Sequence, residues 1–230
     1  MKRIISALCL MMLLFVSATA LAGDYSIDFF RQAPDRWKIT PNESEDVVFV
    51  DCTPQRTIEQ LSFTHRYEHP TKYSFVYTDL LTVDYSTSKA YPVLRTWVEY
   101  CGTERCDFDT VTITLCGRDY TFTDVSDPDW VEEIEDGGGY AETLLIIYGK
   151  NNLDFAMAVL GAVNACSSEQ DFCEKTFPMT LSGRRTLEVE LSGYAVLDMA
   201  HMLGGFFRTA DLAMLEKVSD PTPVTVTDAR

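Results

Sequence analysis

Between Asp124 and Asp136, seven of thirteen residues carry a carboxylate. Asp124, Asp127, Asp129, Glu132 and Glu133 are hard oxygen donors close together in the chain, the donor type that suits calcium. Their spacing fits no EF-hand loop, so the competing reading is a solvated acidic loop, which can also hold a basic partner without any metal. Gly137-Gly138-Gly139 follows directly. Three consecutive glycines lose much entropy on folding and pack nothing, so the stretch is expected to be an exposed mobile loop, a lid, or a seam between two lobes.

A second constellation is His65-Arg66-Tyr67-Glu68-His69. Over these five residues it resembles the inverted zinc-peptidase motif His-x-x-Glu-His. The resemblance implies a metal-dependent hydrolase in which His65 and His69 hold zinc and Glu68 takes a proton from the metal-bound water. That chemistry needs the two histidines one helical turn apart. Pro70 follows at once, and Leu61, Phe63, His65 and Tyr67 alternate as on a strand. On a strand, positions i and i+4 stand roughly 13 Å apart and cannot share an ion. A polar hairpin end is the bland alternative.

Nucleophilic catalysis has little to stand on. Ser182-Gly183 and Ser192-Gly193 lack the flanking glycines of a nucleophile elbow, and Asp198 with His201 on a helix face reads as a surface pair. The glycine triplet is followed by no Lys-Ser or Lys-Thr, so no phosphate loop is present. No residue is assigned a catalytic role, and no cofactor is called for.

Cysteine usage and the amino terminus bound the compartment. Lys2 and Arg3 precede an apolar run from Ile4 to Val16, which ends in small residues and Ala20-Leu21-Ala22. This is the pattern of a secretory signal peptide over residues 1–22, too short for a membrane span. Cys9 lies inside it. The remaining Cys52, Cys101, Cys106, Cys116, Cys166 and Cys173 are even in number, which in an exported chain reads as disulfides. Spacing favours Cys101–Cys106 and Cys166–Cys173 as local loops, leaving Cys52 for Cys116. Without a Cys-x-x-Cys pair or a nearby histidine, neither a zinc site nor a redox pair is favoured. The 230-residue chain carries 19 basic against 35 acidic side chains, a formal charge of −16. Such a surface repels nucleic acid and anionic lipid, and a charged partner should be cationic.

The elements that would position these groups fall into two groups. Val47 to Cys52, Phe75 to Val83 and Val93 to Cys101 read as strands, and Val111-Ile113-Leu115 faces Tyr120-Phe122 across Cys116-Gly-Arg-Asp119 as a hairpin. Thr143-Leu-Leu-Ile-Ile-Tyr148 is a buried strand. Leu153, Ala156, Met157, Leu160 and Val163 draw one helix stripe, widened by Phe155 and Val159, and Val196, Met199, Ala200, Leu203, Phe206 and Phe207 draw another. Between the helices, Phe177-Met179-Leu181 and Leu187-Val189-Leu191 make a hairpin. The expected fold is α+β. An antiparallel β-rich, sandwich-like lobe covers residues 23–124, an acidic Gly-rich connection 125–140, and a smaller strand-helix-hairpin-helix lobe 141–217. Strand 143–148 can alternatively extend the first sheet. A disordered tail is expected over 218–230.

The functional expectation is an exported, periplasmic or secreted, disulfide-stabilised binding or accessory domain without its own catalysis. Its partner would be a protein or another envelope or extracellular ligand, with no nucleic acid and no membrane span after signal cleavage. A metal-dependent hydrolase built on His65, Glu68 and His69, or a structural cell-envelope protein, is the alternative.

Overall fold

Alternation of apolar and polar residues in the strand-rich half is realised as two antiparallel sheets. The structure, a computed structural model, describes residues 32, 37–42, 47–52, 74–85, 88–134, 138–209, 215, 216, 218 and 220–229. The stretch expected to be a signal peptide and the His65-Glu68-His69 motif lie outside the described residues. The elements in chain order are β1 (Trp37–Asn42), β2 (Val47–Cys52), β3 (Phe75–Tyr85), β4 (Ser88–Gly102), β5 (Phe108–Leu115), β6 (Arg118–Thr123), β7 (Ser126–Ile134) and β8 (Gly139–Ile147). They continue with α1 (Leu153–Asn164), α2 (Glu169–Cys173), β9 (Thr176–Gly183), β10 (Thr186–Ser192), α3 (Gly193–Thr209) and β11 (Val224–Asp228). One sheet has the order β1-β2-β3-β4-β8-β7, the other β10-β9-β5-β6-β11. The fold is α+β, β-rich with two antiparallel sheets and three helices among the described residues. None of those helices is long and apolar enough to cross a membrane.

The β5–β6 hairpin shows why the chain folds this way. Val111, Ile113, Leu115, Tyr120 and Phe122 are all buried on one face, while Thr112 and Thr121 pair their hydroxyls at 3.0 Å on the other. Leu115 pairs with Arg118, so the turn is two residues, Cys116 and Gly117, at φ 52° and 77°. Both central positions of such a hairpin turn need positive φ, which glycine adopts freely and cysteine does not. The β9–β10 hairpin then adds to β5, Val111 opposite Leu181 and Ile113 opposite Met179.

The helices complete the core. Helix α3 is buried on nearly every side, and packs on α1, α2, β2, β3 and β4 as well as on β10 of the other sheet. A helix apolar on most of its circumference belongs in an interior rather than on a surface. Its start is sterically tight: the Gly193 N–H donates to the Lys175 carbonyl at 2.8 Å, and a Cβ on Gly193 would lie 2.0 Å from the Phe172 carbonyl oxygen. Gly193→Ala is therefore expected to lower stability by about 1–3 kcal/mol, because that neighbour is backbone and cannot rotate away. A urea midpoint equal to wild type would refute this.

One alternative is realised and two expectations change. Strand β8 lies between β4 and β7, and β9 pairs with β5, so residues on both sides of the acidic stretch share one hydrophobic core. Strand 143–148 thus extends the first sheet, the alternative that the sequence left open. Ser126 to Ile134 is strand β7 rather than a loop, with Val131 to Ile134 paired along β8, because a ladder is made by backbone groups whatever the side chains carry. The expected disordered tail contains β11, Val224 to Asp228, paired with Phe122 to Arg118.

Among the described residues no disulfide is formed, and Cys106, Cys116 and Cys166 stand as thiols. Cys101 packs with Ile134 and Ala141 on the outer side of its sheet, whereas Cys106 lies in the main core. Despite their short separation in sequence, the two cysteines pack in separate apolar clusters. Cys116 is exposed at its hairpin tip, its Sγ 3.7 Å from the Ala158 carbonyl oxygen.

Candidate functional site: an acidic cleft beside strand β7

The irregular start of β7 creates the cleft. Ser126 pairs with Leu144, but the next pair is Val131 with Glu142, so Asp127 to Trp130 bulge out of the ladder. Pro128 cannot donate to a ladder, and the Asp129 N–H turns back to Asp127 Oδ1 at 2.9 Å. Asp124, at φ 57°, turns the chain into this segment. The end of β8 is then left to other partners. Val125 accepts from the Leu145 N–H at 2.7 Å, and Thr222 exchanges two bonds with Ile147: its hydroxyl accepts at 2.8 Å and its N–H donates at 3.0 Å.

Asn152 fixes this crossing from below. It is fully buried; its amide NH₂ donates to the Ile147 carbonyl at 3.0 Å and the Thr222 carbonyl at 3.4 Å, and its Oδ1 accepts from the Gly149 N–H at 2.8 Å. The segment before β11 is therefore tied to the first sheet while β11 itself belongs to the second.

Between the bulge and this segment lies a cavity of about 430 Å³. Leu145, Ile147 and Pro221 form an apolar floor, Trp130 a wall, and Asp124, Asp127 and Asp220 an acidic rim, with no lysine, arginine or histidine in the lining. The lining is mixed, six apolar residues beside five with polar or charged side chains, and a concavity that combines the two can orient a ligand as well as bury it. The arrangement suits an organic cation: carboxylates attract the charge, an indole face accepts it, and the floor takes an apolar stem.

The calcium candidates do not converge. Among the described residues no three His, Cys, Asp or Glu side chains come together to hold a metal ion. Asp129 lies in the bulge, and on the paired strand after it successive residues advance about 3.3 Å and point to alternate faces, so Glu132 and Glu133 diverge from one another. Their acidity has a structural account. β7 is the edge of its sheet, and charges and Pro128 on an edge strand discourage pairing with another chain.

His201 and Asp198 are both half-buried on α3. His201 Nε2 lies 3.4 Å from Glu169 Oε1 of α2, so the imidazole joins two helices rather than serving a nucleophile. Ser182 is a β9 residue next to the turn, and Ser192 Oγ accepts from the Ala195 N–H at 3.2 Å at the start of α3.

Two polar groups that the sequence reading passed over are central to the fold. Glu142 is buried and accepts from the backbone N–H groups of Cys106 at 2.5 Å and Phe108 at 3.0 Å. Burial, then the Glu142 charge, pushes the Cys106 thiol up, the reverse of an activated nucleophile. Burial and the neighbouring Cys106 raise the Tyr100 hydroxyl to about 12. The second group is Asp79, paired to Arg95 through Nε at 2.9 Å and Nη2 at 2.6 Å. Burial raises the Asp79 pKa, opposed by the hydrogen bonds and charge of Arg95. No pattern of spacing signals either group, because each partner comes from a different strand or loop. Compared with protein-family models, with curated proteins and with solved structures, the chain shows no match to any.

Proposed function

We propose that the chain is an exported binding domain that takes a cationic group, an amine or guanidinium on an apolar stem, into the cleft beside β7. The observation that carries this reading is the cleft itself, an apolar floor and an indole wall under a rim of three aspartates, with no lysine, arginine or histidine among the lining residues. The amino-terminal pattern of Lys2, Arg3 and the apolar run that follows supports export, and the formal charge of −16 favours a cationic partner at long range. The reading places the protein among binding or accessory domains of the cell envelope or extracellular space.

The test is a titration of the mature protein with pentalysine, followed by tryptophan fluorescence and by the indole N–H resonances. Wild type should respond to pentalysine and not to pentaglutamate, with an affinity that falls as salt rises. Asp127→Asn combined with Asp220→Asn should weaken binding by about 3–10-fold, the value of one or two partly exposed charge pairs. Equal responses to the two peptides, or unchanged affinity in the double variant, would end the proposal.

A further inference from the structure

We infer that Arg95 is the positioning residue for the aromatic wall of this cleft: Asp79 holds its guanidinium over Trp97, and Trp97 in turn holds Trp130 against the cavity. The assignment builds on the binding reading of the cleft. Strand register brings the parts together. Asp79 on β3 stands opposite Arg95 on β4, which stands opposite Ile147 on β8, and Trp97 stands opposite Leu145 in the next outward-facing row. Ile147 and Leu145 are the cleft floor. Arg95 and Trp97 are therefore immediate neighbours of the site without lining it.

Each contact in the chain is directional. The two Arg95–Asp79 hydrogen bonds form a bidentate fork, which fixes the plane of the guanidinium as well as its place. Arg95 Cζ lies 4.8 Å from the Trp97 ring centroid, within cation–π range. The Trp97 and Trp130 centroids are 6.1 Å apart at 48°, a tilted aromatic pair. Trp130 belongs to the bulge between Ser126 and Val131, where no ladder pairing sets its direction. Its orientation therefore depends on side-chain packing, and Trp97 supplies it. The side chains of Arg95 and Asp79 are only 11% and 4% exposed. A nearly buried ion pair contributes little net stability compared with apolar residues of the same shape, but it does fix geometry.

Arg95→Lys separates these roles, since lysine keeps the charge opposite Asp79 and loses the fork and the flat stack. The readout is the Trp130 indole N–H resonance of the full mature chain, assigned with Trp130→Phe. In ligand-free Arg95→Lys that resonance should move, and pentalysine affinity should fall about tenfold, the upper range of one aromatic–cation contact. Trp97→Phe, which leaves the Arg95–Asp79 fork intact, should displace the same resonance and serves if the lysine variant does not fold. An unmoved Trp130 resonance in the folded variant or variants overturns the inference. If the resonance moves but wild type itself fails to bind pentalysine, the binding reading falls and the positioning of Trp130 by Arg95 stands.

Discussion

Replacing Glu142 with leucine is expected to destabilise the fold by about 2–5 kcal/mol, although the substitution adds an apolar residue at a position only 1% exposed. The reason is what the carboxylate holds. Its two oxygens accept the Cys106 and Phe108 backbone N–H groups, at 2.5 and 3.0 Å, where the chain turns from β4 into β5. Leucine would leave both donors buried without an acceptor, at about 1–3 kcal/mol each, and would remove bonds strengthened by the acceptor's charge. Glu142→Gln should fall between wild type and leucine, because one amide oxygen still accepts while the NH₂ faces the other donor. Urea unfolding with an unchanged m-value measures the loss, and in the glutamine variant the Cys106 and Phe108 amides should exchange faster than their neighbours. A leucine variant within about 0.5 kcal/mol of wild type would mean that the loop does not depend on this carboxylate.

The contrast between this site and the rest of the chain shows what periodicity can and cannot reveal. Val111, Ile113, Leu115, Tyr120 and Phe122 were legible because one sheet face is buried and the other is not, so burial writes itself into alternate residues. The stripes of α1 and α3 were legible for the same reason at helical spacing. Strand β7 left no such trace. Its residues lie on an edge, mostly in contact with water, and only the backbone ladder to β8 makes them a strand. Val224 and Val226 of β11 do alternate, but Pro221 and Pro223 before them suggested a tail. Those prolines instead flank Thr222, which is clamped to Ile147 at the cleft.

The cleft was illegible for a different reason. Trp97 and Trp130 meet because β4, β8 and the bulge of β7 are neighbours in the sheet, and strand order is a nonlocal property. The acidic stretch stands out by its composition, yet the members that line the cleft are Asp124 and Asp127, joined by Asp220 from the far end of the chain. Cysteine spacing misled in a related way. Nearness in sequence placed Cys101 beside Cys106, while the alternation of β4 sends Cys101 outward and the turn into β5 carries Cys106 into the core.

Phe155→Ala is expected to cost about 3–5 kcal/mol and to do so in a single transition. Phe155 is fully buried on α1, with its ring 5.0 Å from Phe122 and 5.3 Å from Tyr120 of the β5–β6 hairpin, and 6.1 Å from Tyr148 at the end of β8. Those three rings come from both sheets, so the cavity left by alanine would open where the sheets and α1 meet. Leucine at the same position fills more of that space and should cost less than alanine. Because the lost contacts belong to one continuous core, the unfolding curve should move as a whole, tryptophan fluorescence and far-ultraviolet circular dichroism reporting one midpoint in both wild type and variant. Two separated midpoints in the variant, with fluorescence from Trp97 and Trp130 retained after the α1 region has melted, would show that residues 23–124 and 141–217 are stable apart. A joint shift is the outcome that the ring contacts require, since neither sheet can close its inner face at this point without Phe155.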